Sequence, residues 1–277
     1  MKKYINIIFP ILFFISCEEV VNIEVPIAAE KLVIEASLDW EKGTTGSNQI
    51  IKLSATVPYF NETINKAVTT ASVKVINTNT GNEFLFNNNN DGSYSTDNFV
   101  PILNNIYNLE IVYNNEVFTA TETLLPTPEI NSVTQSTDGG FDDELIEVNF
   151  SFNDPSNTSN YYMARFKEDE DLFPQFMIIN DDFVNGNEID LFFEKQDDED
   201  ENEFPLEVND VVNIKFYNIS KRYSNYASLL FDQYEGGLFA PTPVEVKGNC
   251  TNTTKPDNYP YGYFRITQFE EREYIIN

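Results

Sequence analysis

The chain has 277 residues, of which 45 are Asp or Glu and 17 are Lys or Arg, for a net charge of −28. So acidic a balance repels phosphate backbones and argues against nucleic-acid binding, while favouring solubility, cation binding or a basic partner. There is no histidine, which removes Ser-His-Asp and Cys-His nucleophile systems, most zinc sites and histidine proton shuttling, so the sequence offers no catalytic set, no metal site and no cofactor motif.

The first sixteen residues read as a lipoprotein signal peptide. Lys2 and Lys3 form a basic start, Tyr4 to Ile15 an apolar core too short to span a bilayer and stay there, and Ser16 a small residue just before a cysteine. Cys17 is then the expected amino terminus of the mature chain, carrying acyl chains that hold it on a membrane. The other reading is an ordinary secretory signal with a chance cysteine at its end. Residues 17–30 follow as an acidic tether containing Pro26. Glu18 and Glu19 directly behind the anchor lean toward an outer-membrane, surface-facing address, the alternative being a solvated linker with no address. With Cys17 acylated, Cys250 has no partner for an intrachain disulfide and reads as a partly buried small apolar residue.

From Lys31 the period changes to two. Leu32, Ile34, Ala36, Leu38 and Trp40 share one side of an extended segment and Glu35, Ser37 and Asp39 the other, the alternation of a half-buried strand. Further strands are predicted at 49–55, 71–76, 83–86, 107–113 and 116–122. Asn114-Asn115 tolerates positive φ and joins the last two as a hairpin, and the Asn87–Asn90 run with Asp91-Gly92 reads as a loop tip. Six or seven short strands in about a hundred residues describe a small antiparallel sandwich over 31–125. Pro126-Thr127-Pro128 breaks the pattern and marks the expected domain boundary.

The second domain, 126–277, is predicted to hold strands at 146–152, 161–166, 175–180, 188–193, 211–219, 263–269 and 273–276. One segment departs from this rhythm. Tyr223, Tyr226, Ala227, Leu230, Phe231 and Tyr234 recur at helical spacing behind a capping Ser220 and before Gly236-Gly237, predicting a helix near 221–235. Its apolar stripe reads as packing on a sheet, against the alternative of a ligand groove. The fold class is therefore all-β, with two sandwich-like domains and one short helix.

Three features carry candidate chemistry. The run from Asp197 to Glu201 with Glu203 reads as a solvated loop or as a weak calcium or basic-partner contact, but it lacks the alternating ligands and central glycine of an EF-hand. Asp154 and Asp181–Asp182 each sit at a strand end, where a carboxylate pair could act as acid and base or simply serve a turn. Tyr259, Tyr261 and Tyr263, set among Pro260 and Gly262, form a candidate ligand or partner surface, because rings on constrained turns are flat and low in entropy; the other reading is that they seal one end of the second sandwich.

Taken together, several short motifs resemble one family. They are Leu32-Val33-Ile34-Glu35-Ala36, Ile51-Lys52-Leu53-Ser54, Asp91-Gly92-Ser93-Tyr94 and Tyr107-Asn108-Leu109, then Phe152-Asn153-Asp154-Pro155, Asn160-Tyr161-Tyr162, Asp182-Phe183-Val184-Asn185-Gly186 and Tyr261-Gly262-Tyr263-Phe264. The chain is similar over nearly its whole mature length to the surface lipoproteins grouped as domain of unknown function 4249. The resemblance implies an immunoglobulin-like or carboxypeptidase-regulatory-like first sandwich, a β-rich second domain and an outer-membrane lipoprotein associated with a TonB-dependent transporter. It supplies no catalytic residues. The expected function is a non-enzymatic accessory binding module for uptake of a nutrient such as a peptide, with a structural or adhesion lipoprotein as the alternative and a carboxylate-based hydrolase behind both. The ligand is not identified.

Overall fold

The structure, a computed structural model, describes residues 29–58, 66–156, 158–197, 203–235 and 244–277. The signal peptide, Cys17, Glu18, Glu19, most of the 197–203 acidic run, Gly236-Gly237 and Pro241-Thr242-Pro243 lie outside the described residues. Among those described, no helix is long and apolar enough to cross a membrane.

Strand β1 (Leu32–Glu41) turns Leu32, Ile34, Ala36 and Leu38 inward. It pairs antiparallel with β2 (Gln49–Ala55), which also carries the short β3 (Lys66–Ala67). The facing layer is built from β4 (Ser72–Asn77), β5 (Glu83–Asn88), β7 (Ile106–Tyr113) and β8 (Glu116–Thr123). Strand β5 turns the corner between layers, since Phe84 and Phe86 pair with β4 while Asn87 and Asn88 pair with β6 (Ser93–Thr96). Asn114 and Asn115, at φ 51° and 62°, close the β7–β8 hairpin as their tolerance of positive φ predicts.

The second unit stacks a three-stranded sheet, β9 (Ile130–Ser136), β10 (Glu147–Asn153) and β13 (Glu188–Glu194), on β11 (Tyr161–Glu168), β12 (Gln175–Asn180) and β14 (Val211–Ile219). Aromatic rings fill the space between the layers. Phe216 lies 4.4 Å from Phe152, 5.3 Å from Tyr162 and 5.5 Å from Phe150, spacings at which ring pairs attract beyond their buried area.

The two units share a strand. β16 (Tyr261–Ile275) pairs parallel with β1 from Tyr261 to Phe269 and antiparallel with β14 from Phe269 to Ile275. At about 3.3 Å per residue it is roughly 50 Å long. The expected division at residue 126 therefore needs correcting. Cys250, Phe264 and Ile266 belong to the first core, and β15 (Thr251–Asn252) extends the first unit's sheet beside β8. The two tail strands expected at 263–269 and 273–276 are one.

Gly262 makes the approach possible. At φ +87° it sits so close to β1 that an added Cβ would lie 2.0 Å from the Ile34 carbonyl oxygen. The expected linker is pinned as well. Thr127 is buried, its Oγ donating to the Gln268 carbonyl at 2.5 Å and accepting from the Asn218 N–H at 3.0 Å, while Asn218 Nδ2 donates to the Pro126 carbonyl.

Helix α1 (Lys221–Glu235) starts where Ser220 predicts, with the Tyr223 N–H donating to Ser220 Oγ at 3.2 Å. Its first turns lay Tyr223 and Tyr226 on Tyr263 of β16, and its later turns reach β12, where Phe231 stacks on Phe176 at 5.2 Å.

Candidate functional site

Tyr259 and Tyr261 lie together where the chain enters β16, and both hydroxyls donate to one carboxylate oxygen, Glu245 Oε1, Tyr261 at 2.5 Å. Their rings meet edge to face at 5.9 Å. The two donated hydrogen bonds hold the Glu245 carboxyl below its ordinary range, and the same contact raises the Tyr261 phenol. Lys31 and Lys247 each place Nζ 3.6 Å from the Tyr259 ring centroid. Both ammonium groups lie within cation–π range, so the ring is already engaged by contacts within the protein. The patch is a fastening between the start of β1 and the 244–262 segment, with Tyr261 half-buried beside it.

Tyr263 does not join that surface. Its ring is buried under Tyr223 and Tyr226, and its hydroxyl donates to Glu122 Oε2 at 3.1 Å. Burial and the neighbouring Glu122 carboxylate push its phenol above the ordinary range. Tyr261 and Tyr263 share one face of the strand, but helix α1 covers only the second.

Of the carboxylates expected at two strand ends, Asp154 and Asp181 are buried and both act on Tyr162, while Asp182 is exposed. Asp154 accepts from the Tyr162 hydroxyl at 2.5 Å and from the Gly186 N–H at 2.8 Å, while Asp181 Oδ2 accepts from the Asn160 N–H at 2.8 Å. Burial, then the bond to Asp154, raises the Tyr162 phenol. These acids hold the 181–187 loop against the 154–160 turn, and at its tip Phe183 is 98% exposed. Cys250 is buried as expected, and burial pushes its thiol up to about 12, leaving no thiolate to act as a nucleophile near neutral pH. Of the acidic run, Asp197 and Glu203 are described; Asp197 is exposed, and Glu203 accepts from Gln175 Nε2 at 2.9 Å. Among the described residues no group of three or more acidic or cysteine side chains could hold a metal ion.

Other polar groups escape a reading of the sequence. Arg265 is buried between Tyr217 and Tyr223, 5.2 and 4.8 Å from their centroids, and bonds to Asp39. The available signal is a lone cation inside the apolar run Tyr263-Phe264-Arg265-Ile266. Glu147 is fully buried opposite Glu194 in register, accepting from the Gly139 N–H at 2.9 Å, while Glu194 accepts from the Phe141 N–H at 2.9 Å. A depression of about 320 Å³ on the first sandwich gathers Asn48, Ile50, Asn87, Ser95, Thr96 and Asp97, and so absorbs the start of the asparagine run.

Comparison with known proteins gives a family. No curated protein matches the chain. Among solved structures, similarity at 11% identity and TM-score 0.27 reaches a cytokine receptor complex, covering 68% of this chain and 91% of that one. The FN1–FN3 domains of chicken CNTN1 match at 13% identity and TM-score 0.25, covering 68% of this chain and 63% of theirs. A two-domain fibronectin type-III segment of chicken tenascin matches at 12% identity and TM-score 0.22, covering 61% and 83%. The family model described as domain of unknown function DUF4249 matches residues 18–273, and the chain belongs to that family.

Proposed function

We propose that this DUF4249 member is a non-enzymatic accessory binding module, held on the outer membrane by lipid at Cys17 and facing the cell surface, that partners a TonB-dependent transporter barrel in the uptake of a nutrient such as a peptide. The observation that carries the reading is the fastening of two sandwiches into one body. β16 runs through both units, and Thr127 ties their linker to β14 and β16. A body without a hinge there keeps a surface on one unit in fixed relation to a seat under the other, as a subunit docked on a barrel needs. The candidate reactive groups support the same reading. Asp154, Asp181 and Cys250 are buried, and the two acids accept backbone N–H groups that shape loops. The basic start, short apolar core and Ser16-Cys17 step of the sequence support the anchor.

The test is purification of the membrane-anchored protein in mild detergent, with Cys17→Ala as the unlipidated control and mass spectrometry of what accompanies it. A stoichiometric TonB-dependent barrel is expected with the wild-type chain. Its absence from gently solubilised membranes overturns the reading.

A further inference from the structure

The sheet ends at β12, which β11 pairs on one side only, in register from Tyr161–Asn180 to Phe166–Gln175. Among the described residues no strand pairs its other side; Glu203 lies against its first residue, accepting from Gln175 Nε2 at 2.9 Å, which leaves Phe176 to Asn180 as the open edge. Exposed edges present unpaired N–H and C=O groups, and proteins guard them with charge, proline, bulges or short strands. The other terminal strands follow that rule: β15 has two residues, β13 carries Glu188, Asp190 and Glu194, and β9 pairs with β10 through a bulge at Ser151–Phe152. β12 does not. Its sequence, Gln175-Phe176-Met177-Ile178-Ile179-Asn180, has six residues, no charge and no internal proline.

The loops at both ends of β12 show apolar side chains and are held from behind. Leu172 and Phe173 before it are 77% and 65% exposed, Phe176 is 41% exposed, and Phe183 after it stands out almost completely. The first loop is tied by Lys195, which is buried against Glu168 and Asp171. The second is tied by Asp154 and Asp181, with Asn185 Nδ2 donating to the Thr158 carbonyl at 2.8 Å. Beside the strand, α1 lays Phe231 on Phe176 and leaves Leu230 and Tyr234 exposed. Fixed apolar groups along an open edge cost little ordering entropy when something binds them.

Charge sets the ends of the strip. Asp169 and Glu170 are exposed on the near side and Asp182 on the far side, and none has an ion-pair partner among the described residues. We propose that the free edge of β12 seats an extended segment of a partner protein, apolar at alternate positions and bearing Lys or Arg at both ends, which adds to the sheet as a further strand. Main-chain hydrogen bonds to β12 hold the segment, its apolar side chains meet Phe176 and the exposed end of the α1 stripe, and its basic ends meet the three carboxylates. A second copy of this chain fits the charge less well, since each copy carries −28. The proposal deepens the accessory-partner reading by giving the chemistry of the contact.

The experiment uses the full chain in mild detergent and a labelled nonapeptide probe, Lys-Lys-Val-Thr-Val-Thr-Val-Lys-Lys, followed by fluorescence anisotropy and hydrogen exchange. Saturable binding is expected, with slowed exchange confined to amides of residues 175–180. A probe with proline at alternate positions, lacking the N–H donors, does not bind. Phe176→Lys, which places a guarding charge on the edge, weakens binding by roughly tenfold or more. The double variant Leu172→Ser, Phe183→Ser changes only exposed positions, keeps the wild-type melting temperature and also weakens the probe. Absence of binding, protection elsewhere, or binding unchanged in both variants overturns the proposal. So does concentration-dependent dimerisation lost in Phe176→Lys, which assigns the edge to a second copy, or phospholipid-vesicle adsorption lost in the same variant, which assigns it to a membrane. Because no barrel enters this assay, it fails or succeeds independently of the co-purification above.

Discussion

Arg265 Nη2 donates to both carboxylate oxygens of Asp39, each at 2.7 Å, across the parallel ladder that joins the last strand to the first. Thr267 Oγ donates to the same carboxylate at 2.8 Å, and Arg265 Nη1 donates to the Tyr223 hydroxyl at 2.9 Å. One ion pair thus ties β1, β16 and α1. Removing one partner of a buried pair strands the other, at about 3–5 kcal/mol when burial is complete. Asp39 is partly exposed, so Asp39→Ala is expected to cost about 2–3 kcal/mol in urea denaturation. Arg265→Met, which leaves no stranded cation beside a partly hydrated carboxylate, costs less. A larger loss for the Arg265 variant would refute this ordering.

Thr127 predicts the strength of the fastened linker. Thr127→Val keeps the shape but leaves the Asn218 N–H and the Gln268 carbonyl buried without this partner, at about 1–3 kcal/mol for each unsatisfied group. Thr127→Ser restores most of the loss. Equilibrium unfolding of the two variants side by side measures the difference, and equal stability would show that the hydroxyl bonds contribute nothing.

Cys250 and the buried tyrosines predict alkaline behaviour. The Cys250 thiol rises from its ordinary 9.0 to about 12 through burial, and burial also raises Tyr107, Tyr162 and Tyr217. A raised folded-state pKa means that folding favours the protonated form. Its contribution is complete below the unfolded value and is lost as pH rises from there through the folded value. Stability is expected to hold to about pH 9 and then to fall steadily. Native protein should resist iodoacetamide at pH 8 and react at one thiol per Cys17→Ala chain in urea. Rapid labelling of the folded protein would contradict the burial of Cys250.

Glu116 predicts the acid side. Bonds from Lys255 at 2.7 Å, Asn258 at 2.7 Å and Asn252 at 2.6 Å hold its carboxyl down to about 2, and so clamp the 252–258 turn to β8. A depressed folded-state pKa contributes stability above the ordinary value of 4.5 that is lost as pH falls through about 2. Glu116→Gln should quicken hydrogen exchange in residues 251–258 at neutral pH and flatten the acid limb of the stability curve. An unchanged exchange map would remove the clamp.

Much of this architecture is written locally. The alternation from Leu32 to Leu38, the Asn114-Asn115 turn and the Ser220 cap each work through neighbours a few residues apart, and each appears where the pattern puts it. The shared strand is different. Residues 263–270 are buried without a break, because the first core covers one face and α1 with the β14 side covers the other. A strand covered on both faces loses its two-residue period and reads as short apolar runs. Tyr263 misleads for the same reason: its spacing from Tyr261 gives its face, and only the tertiary position of α1 decides whether that face is open. β9 hides in the opposite way, since Asn131, Ser132, Thr134, Gln135 and Ser136 form a polar edge with weak strand character.

The first and last strands of the described residues are neighbours, and this sets when folding can finish. While the polypeptide is being made, Ile34, Ala36 and Leu38 emerge early, but Cys250, Phe264 and Ile266, which complete their core, arrive more than two hundred residues later. Contacts so distant in sequence close slowly, because the loop entropy is lost before the pairing is gained. The first sandwich therefore stays open along one side until β16 is delivered, so a nascent or truncated chain ending before Tyr261 exposes the β1 edge. Delivery of β16, and not the emergence of either unit's other strands, is the event that commits the fold to its native state.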